Sequence, residues 1–131
     1  MTNFINLNPH SMRFRVNAAN TAAEPDTTDI VVEARKSPDG KPAPARVSTT
    51  PGVLLGPIGG VAAYGCTTYG AVEGLPDPQP DTIYLVSALI SGRPDIAGRD
   101  DVFVPGTGPK DGTVRDANGQ VYAVTRLVMA G

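Results

Sequence analysis

Between Leu75 and Ser87 a stiff spacer carrying Pro76, Pro78 and Pro80 runs straight into Ile83-Tyr-Leu-Val86, which opens the longest strongly apolar run of the chain, Ile83 to Ile90. Three prolines within five residues fix φ and remove three backbone donors, so the spacer belongs neither in a helix nor in the middle of a sheet. It is expected as an extended, polyproline-like surface arm that delivers Ile83 to Val86 into a buried strand. An arm of this kind makes few contacts of its own. Side chains from elsewhere must hold it.

The chain has 131 residues, the common size of one domain, and a single domain over 1–131 is expected. Its 15 glycines and 13 prolines would suggest disorder, but 40% of its residues are hydrophobic and these cluster in short segments. The pattern predicts a mainly β protein with one short helix: a compact antiparallel sheet or small barrel-like domain with long Pro/Gly-rich loops. Eleven Lys and Arg against 13 Asp and Glu give a net charge of -2, and no window concentrates basic residues, so duplex nucleic acid is not an expected partner. The run Ile83–Ile90 is far short of the ~20 residues of a membrane span. No membrane partner and a cytoplasmic location are expected, and the single cysteine, Cys66, fits a reducing compartment.

Met12, Phe14 and Val16 alternate with Arg13 and Arg15, which predicts a strand with one wet or ligand-facing side. Residues 17–28 read as a surface loop before a second strand near Asp29–Arg35. Ser37-Pro-Asp-Gly40 is a turn signal and predicts a hairpin to a strand at Pro44–Thr49. Val53-Leu-Leu55 and Val61-Ala-Ala-Tyr64 should be short strands meeting at a glycine-rich corner. Ser87-Ala-Leu-Ile90 suits a helical turn capped by Ser87. Val102-Phe-Val104 reads as a short strand, and Ala117-Asn118-Gly119 as the turn of a hairpin reaching Val128.

Candidate chemistry is sparse. His10, the only histidine, follows Pro9 at a turn, where it could contact a ligand or simply brace a neighbouring strand. Arg99-Asp100-Asp101 joins a guanidinium to two carboxylates. Neighbouring residues on a strand point to opposite faces, so both aspartates reach one ion only on a bent backbone; the expected division has Asp100 paired to Arg99 or capping the turn and leaves Asp101 solvated. No metal and no cofactor are expected. Gly106-Thr-Gly-Pro-Lys-Asp-Gly112 resembles a phosphate-cradling loop but lacks the Lys-Ser/Thr ending and the following helix, and reads as a mobile surface loop. Tyr69, Tyr84 and Tyr122, with Arg46, Arg115 and Arg126, could combine stacking faces with phosphate-gripping guanidiniums, or could be sheet residues with polar tips. Cys66 and Ser87 have no adjacent base.

Asn6-Leu-Asn-Pro-His10, Tyr69-Gly-Ala-Val-Glu-Gly-Leu-Pro76, Tyr84-Leu-Val-Ser87, Arg99-Asp100 and Arg115-Asp-Ala-Asn-Gly119 together resemble a group of small phage and prophage proteins. Those proteins open with Asn-Leu-Thr-Pro-His, pass through a Gly-Leu-Pro-x-Pro arm into Tyr-Ile-Val-Ser, and close with Arg-Asp-x-x-Gly. Here Asn8 stands in place of the usual threonine, and residues 17–43 form a longer insertion. The resemblance implies a genetic setting, with the host cytosol as location, more than an activity. By analogy of setting it implies an anti-defence sponge that sequesters a phosphorylated or cyclic nucleotide immune signal, such as a cyclic nucleotide or an ADP-ribose derivative, without turnover. Asn8, His10, Arg46, Tyr84, Ser87, Arg99, Asp100 and Arg115 are then the expected ligand-binding residues. The site would sit where subunits of a homo-oligomer meet. The alternatives are a nucleotide-signal-cleaving enzyme with His10 as acid or base, assisted by Asp100 or Asp101, and a structural or protein-interaction accessory of a phage.

Overall fold

The computed structural model of the chain describes residues 2–131, and they are mainly β; among them no helix reaches seven residues. In chain order the strands are β1 (Asn3–Asn6), β2 (Met12–Arg15), β3 (Asp29–Val32), β4 (Arg46–Thr50), β5 (Leu54–Ile58) and β6 (Val61–Tyr64). They continue as β7 (Thr68–Glu73), β8 (Thr82–Leu85), β9 (Val102–Pro105), β10 (Val114–Arg115), β11 (Val121–Ala123) and β12 (Leu127–Met129). Two 3-10 turns, Ala88–Ile90 and Pro94–Ile96, connect β8 to β9.

A four-stranded sheet of order β1-β8-β9-β12 carries the core, and four two-stranded ladders surround it without closing a barrel. The ladders are antiparallel, as hairpin signals lead one to expect. The central sheet is mixed: β8 runs parallel to both neighbours, and only β9 and β12 pair antiparallel. Parallel neighbours need a crossover, and the 3-10 turns supply one side of it compactly by burying Ile90 and Ile96. Tyr84, Leu85 and Val86 are fully buried, and Tyr84 and Val86 share a core with Leu7, Ile90, Val102 and Val104. Each such aliphatic side chain contributes about 1.5–3 kcal/mol of transfer free energy.

The proline spacer is held in two places. Tyr84 Oη donates to the Asp77 carbonyl at 3.0 Å, and Arg99 Nη2 donates to the Pro76 carbonyl at 3.1 Å. The spacer ends at Asp81, whose φ of 54° is left-handed, and the Asp81 carbonyl accepts from Asn3 N–H at 2.7 Å, fixing the entry of β1 beside β8. Tyr84→Phe keeps the packed ring and removes one hydrogen bond. A loss of about 1 kcal/mol in urea unfolding is expected, with the m-value unchanged.

Two local expectations come out differently. The Ser37–Gly40 turn forms, with Gly40 N–H on the Ser37 carbonyl at 2.9 Å, but β4 pairs with β7 and not with the strand before the turn. Pro42 and Pro44 lack the N–H groups that would extend that ladder beyond the Lys36–Pro42 bridge, and the Ala45 N–H goes instead to the Leu7 carbonyl. At the other hairpin only Gly119 is left-handed, at φ 78°, while Asn118 is not. Asp116 Oδ1 accepts from the N–H groups of Asn118 and Gln120, which makes a carboxylate-capped turn ending in a glycine bulge, consistent with the register shift between β10 and β11.

Residues 46–73 leave the body as a ribbon. β4 pairs with β7 at its root, the two backbones come so close that a Cβ on Gly52 would overlap the Gly65 backbone, and β5 and β6 pair beyond, closed by Gly59 and Gly60. Val47 and Val72 pack the root onto the core, and Asp95 Oδ2 accepts from Val72 N–H at 2.9 Å.

Candidate functional site

The Arg13/Arg15 side of β2 is not wet at Arg15. Arg15 is only 2% exposed and is the largest fully buried side chain among the described residues. Its register partner across the ladder is Asp29, to which Nε donates at 2.9 Å, while its Nη groups donate to the carbonyls of Asn20, Ala22 and Glu24. Loop 17–28 therefore wraps one guanidinium with its own backbone. The Arg15 hydrogen bond holds the Asp29 carboxyl well below the usual carboxylate range, and Asp29 in turn raises the Arg15 guanidinium. Asp26 is also lowered, by hydrogen bonds from Thr28 and Asn20.

Arg13, one pleat away, lies at the rim of this network. It donates through Nη1 to Asp29 at 3.0 Å, and its guanidinium sits 5.2 Å from the Tyr122 ring centre. Further N–H donors remain on it for an anion. Beside it opens a hollow of about 320 Å³ lined by His10, Arg13, Thr107, Gln120 and Tyr122. It combines a cation, an imidazole, an amide and an aromatic ring. β2 supplies Arg13, the hairpin strand β11 supplies Tyr122, and the turn after β1 supplies His10.

That turn is built by Asn6 and Asn8. Asn6 Nδ2 donates to the His10 and Val32 carbonyls at 2.9 and 3.0 Å, and Asn6 Oδ1 accepts from the N–H and the Nδ2 of buried Asn8. Asn8 is thus a brace for the segment that presents exposed His10, whose Nδ1 lies 3.2 Å from the Ser11 carbonyl.

The other expected ligand residues are dispersed. Arg46 and Ser87 share a separate hollow of about 370 Å³ with Leu7, Pro9 and Leu89; Ser87 precedes the first 3-10 turn without a side-chain capping bond. Tyr84 is fully buried and Arg99 faces Asp101, at 2.7 and 2.9 Å, so both serve the proline spacer. The carboxylates exchange their expected roles: Asp101 is buried and paired, its carboxyl lowered by Arg99, and Asp100 is exposed. Asp100 lines a third hollow with Asp81 and Asp101, whose charge repels an anion. Arg115 bridges the Gly119 and Thr107 carbonyls at 2.9 and 3.0 Å, tying the hairpin to the loop that borders the His10 hollow. That loop carries hydrogen bonds of its own. Asp111 Oδ2 takes the Gly108 N–H at 2.8 Å and Thr113 Oγ1 donates to the Gly106 carbonyl at 2.8 Å, so the Gly108 amide is already satisfied.

No family model, curated protein or solved structure matches this chain. Among the described residues, no group of three or more His, Cys, Asp or Glu is placed to hold a metal ion, and no helix is long and apolar enough to cross a membrane. Sequence reasoning placed Arg13 on a wet or ligand-facing side of β2 without naming it as a ligand residue, and it passed over Gln120. Arg13 was legible as the cation on the polar side of β2 nearest the only histidine, whereas Gln120 carried no signal.

Proposed function

We propose that this chain is a non-catalytic binding protein that sequesters a small anionic, nucleotide-type ligand, in keeping with its resemblance to small phage proteins. The observation that carries this reading is the meeting of His10, Arg13, Gln120 and Tyr122 around one open hollow. A guanidinium with spare donors suits a phosphate, an aromatic face suits a base, and an amide and an imidazole suit a base edge or a ribose hydroxyl. Sequestration requires only that these groups hold the ligand. Nanomolar retention corresponds to about -12 kcal/mol, which calls for several charge-assisted contacts in a partly desolvated site.

The test is calorimetric titration and thermal shift with cyclic dinucleotides, cyclic oligonucleotides and cyclic ADP-ribose isomers, followed by mass spectrometry of whatever denatured protein releases. One of these compounds is expected to raise the melting temperature and to be recovered intact, with His10→Ala and Gln120→Ala each weakening binding about tenfold, or about 1.4 kcal/mol. Recovery of a cleaved product would make the chain an enzyme, and indifference to every compound would end the reading. A second reading, a protein-binding accessory of a phage particle, is favoured by β12, the edge of the central sheet, where Leu127, Val128 and Met129 are all exposed.

A further inference from the structure

The ribbon beyond Gly52 has no cover on either face. Consecutive residues Pro57 and Ile58, and again Val61 and Ala62, are exposed, and so are Val53, Leu54, Leu55 and Tyr64. β5 and β6 chiefly contact each other, whereas β4 and β7 also rest on the 3-10 turns. An isolated two-stranded hairpin is marginal in water, and strands normally bury at least one face. From Val47 to Val72 the chain carries no Asp, Glu, Lys, Arg or His, although 18% of the whole sequence is charged. Exposed strands are ordinarily protected by charge, and this one has none.

The accessible surface points the same way. The chain exposes 8297 Å² at 13.6 kDa. A compact monomer of that mass exposes about 6,600 Å², so the surplus is about 1,700 Å². Two chains each covering that much would bury about 3,400 Å² between them, within the roughly 2,000–5,000 Å² of obligate homomeric interfaces.

From this surplus and this composition we infer that residues 53–64 are an assembly arm whose occupant is a second copy of this chain, with both faces of the ribbon covered in the oligomer. Recognition of a different protein generally draws on charge complementarity at the contact, which an uncharged ribbon cannot supply. A ribbon that exposes Val53, Leu54, Leu55, Ile58 and Val61 together also needs covering as soon as the chain folds, and the partner always present at matching concentration is another copy. Beyond the close approach of Gly52 to the Gly65 backbone the apolar side chains of β5 and β6 stay exposed, which leaves both faces open to neighbours.

Sedimentation velocity on the full chain between about 1 and 50 µM tests this without any ligand, so its outcome is separate from that of the binding proposal. The unaltered protein is expected at a multiple of 13.6 kDa across the range. Leu55→Asp combined with Val61→Asp, at positions 68% and 69% exposed in the single chain, is expected to sediment as a monomer with an unchanged far-ultraviolet circular dichroism spectrum. Ile58→Ser, a milder change on the same ribbon, is expected to move dissociation to at least tenfold higher concentration. An unaltered protein that stays monomeric at 50 µM overturns the inference, and so does a double variant or Ile58→Ser protein that assembles like the unaltered one.

Discussion

Arg15→Met is expected to lower the melting temperature by roughly 10 °C or more, because it removes the charge around which Asp29 and loop 17–28 are organised and leaves a carboxylate without its main partner. Methionine fills much of the volume, so lost packing is a lesser part of the effect. The same substitution changes the response to acid. Asp29 has a lowered pKa in the fold, so its contribution is fully present above the ordinary carboxylate value of about 3.9 and is lost as pH falls below it toward the folded value. In Arg15→Met that acid-sensitive share is reduced to what Arg13 and the Asp26 N–H still supply, and the stability curve measured by urea unfolding between pH 6 and pH 3 should be flatter. Hydrogen exchange should show residues 17–28 losing protection before the core strands. An unchanged melting temperature would mean that the three backbone carbonyls and Asp29 do not depend on the guanidinium.

Arg99→Met is expected to cost about 3 kcal/mol, since Asp101 is 8% exposed and would be left as a buried charge without its bidentate partner. The Pro76 carbonyl loses its donor in the same step. Two local consequences distinguish this from general destabilisation: the amides of Asp77, Gln79, Asp81 and Thr82 should exchange faster, and Arg99→Lys should restore only part of the loss, because an ammonium cannot reproduce the planar fork. Asp101 is likewise lowered in the fold, so this contribution is also lost on acidification, and the variant should lose less stability than the unaltered protein between pH 5 and pH 3. Equal unfolding midpoints for Arg99→Met and the unaltered chain would contradict the argument.

What could be read from residues alone divides by range. The positions of the turns at Ser37–Gly40 and Ala117–Gly119 were legible because turn chemistry is local, though not the pairing after the first or the Asp116 cap of the second, and Ile83–Val86 was legible because a proline spacer leading into an apolar run has few alternatives. The parallel placing of β8 between β1 and β9 was not, because nothing within a strand records which distant segment lies beside it. The wet reading of β2 failed at Arg15 because alternation identifies a face without identifying what covers it; the cover is the loop's own carbonyls. The Arg99 pairing was in reach: alternation that parts Asp100 from Asp101 also puts Asp101, two residues on, beside Arg99. Of the site, His10 and Tyr122 stood out as residue types, but their convergence with Arg13 and Gln120 depends on the fold.

The central sheet also imposes an order in time. Asn3 aligns with Thr82, so during synthesis at about 5–20 residues per second β1 leaves the ribosome roughly 4–16 s before its neighbour. Until then the nascent chain carries an unpaired edge and the uncharged ribbon together, and β9 and β12 follow later still. Pairing of β1 therefore waits on β8, and a stalled translation product ending before Leu85 would hold an open sheet edge and an uncovered ribbon in the same molecule.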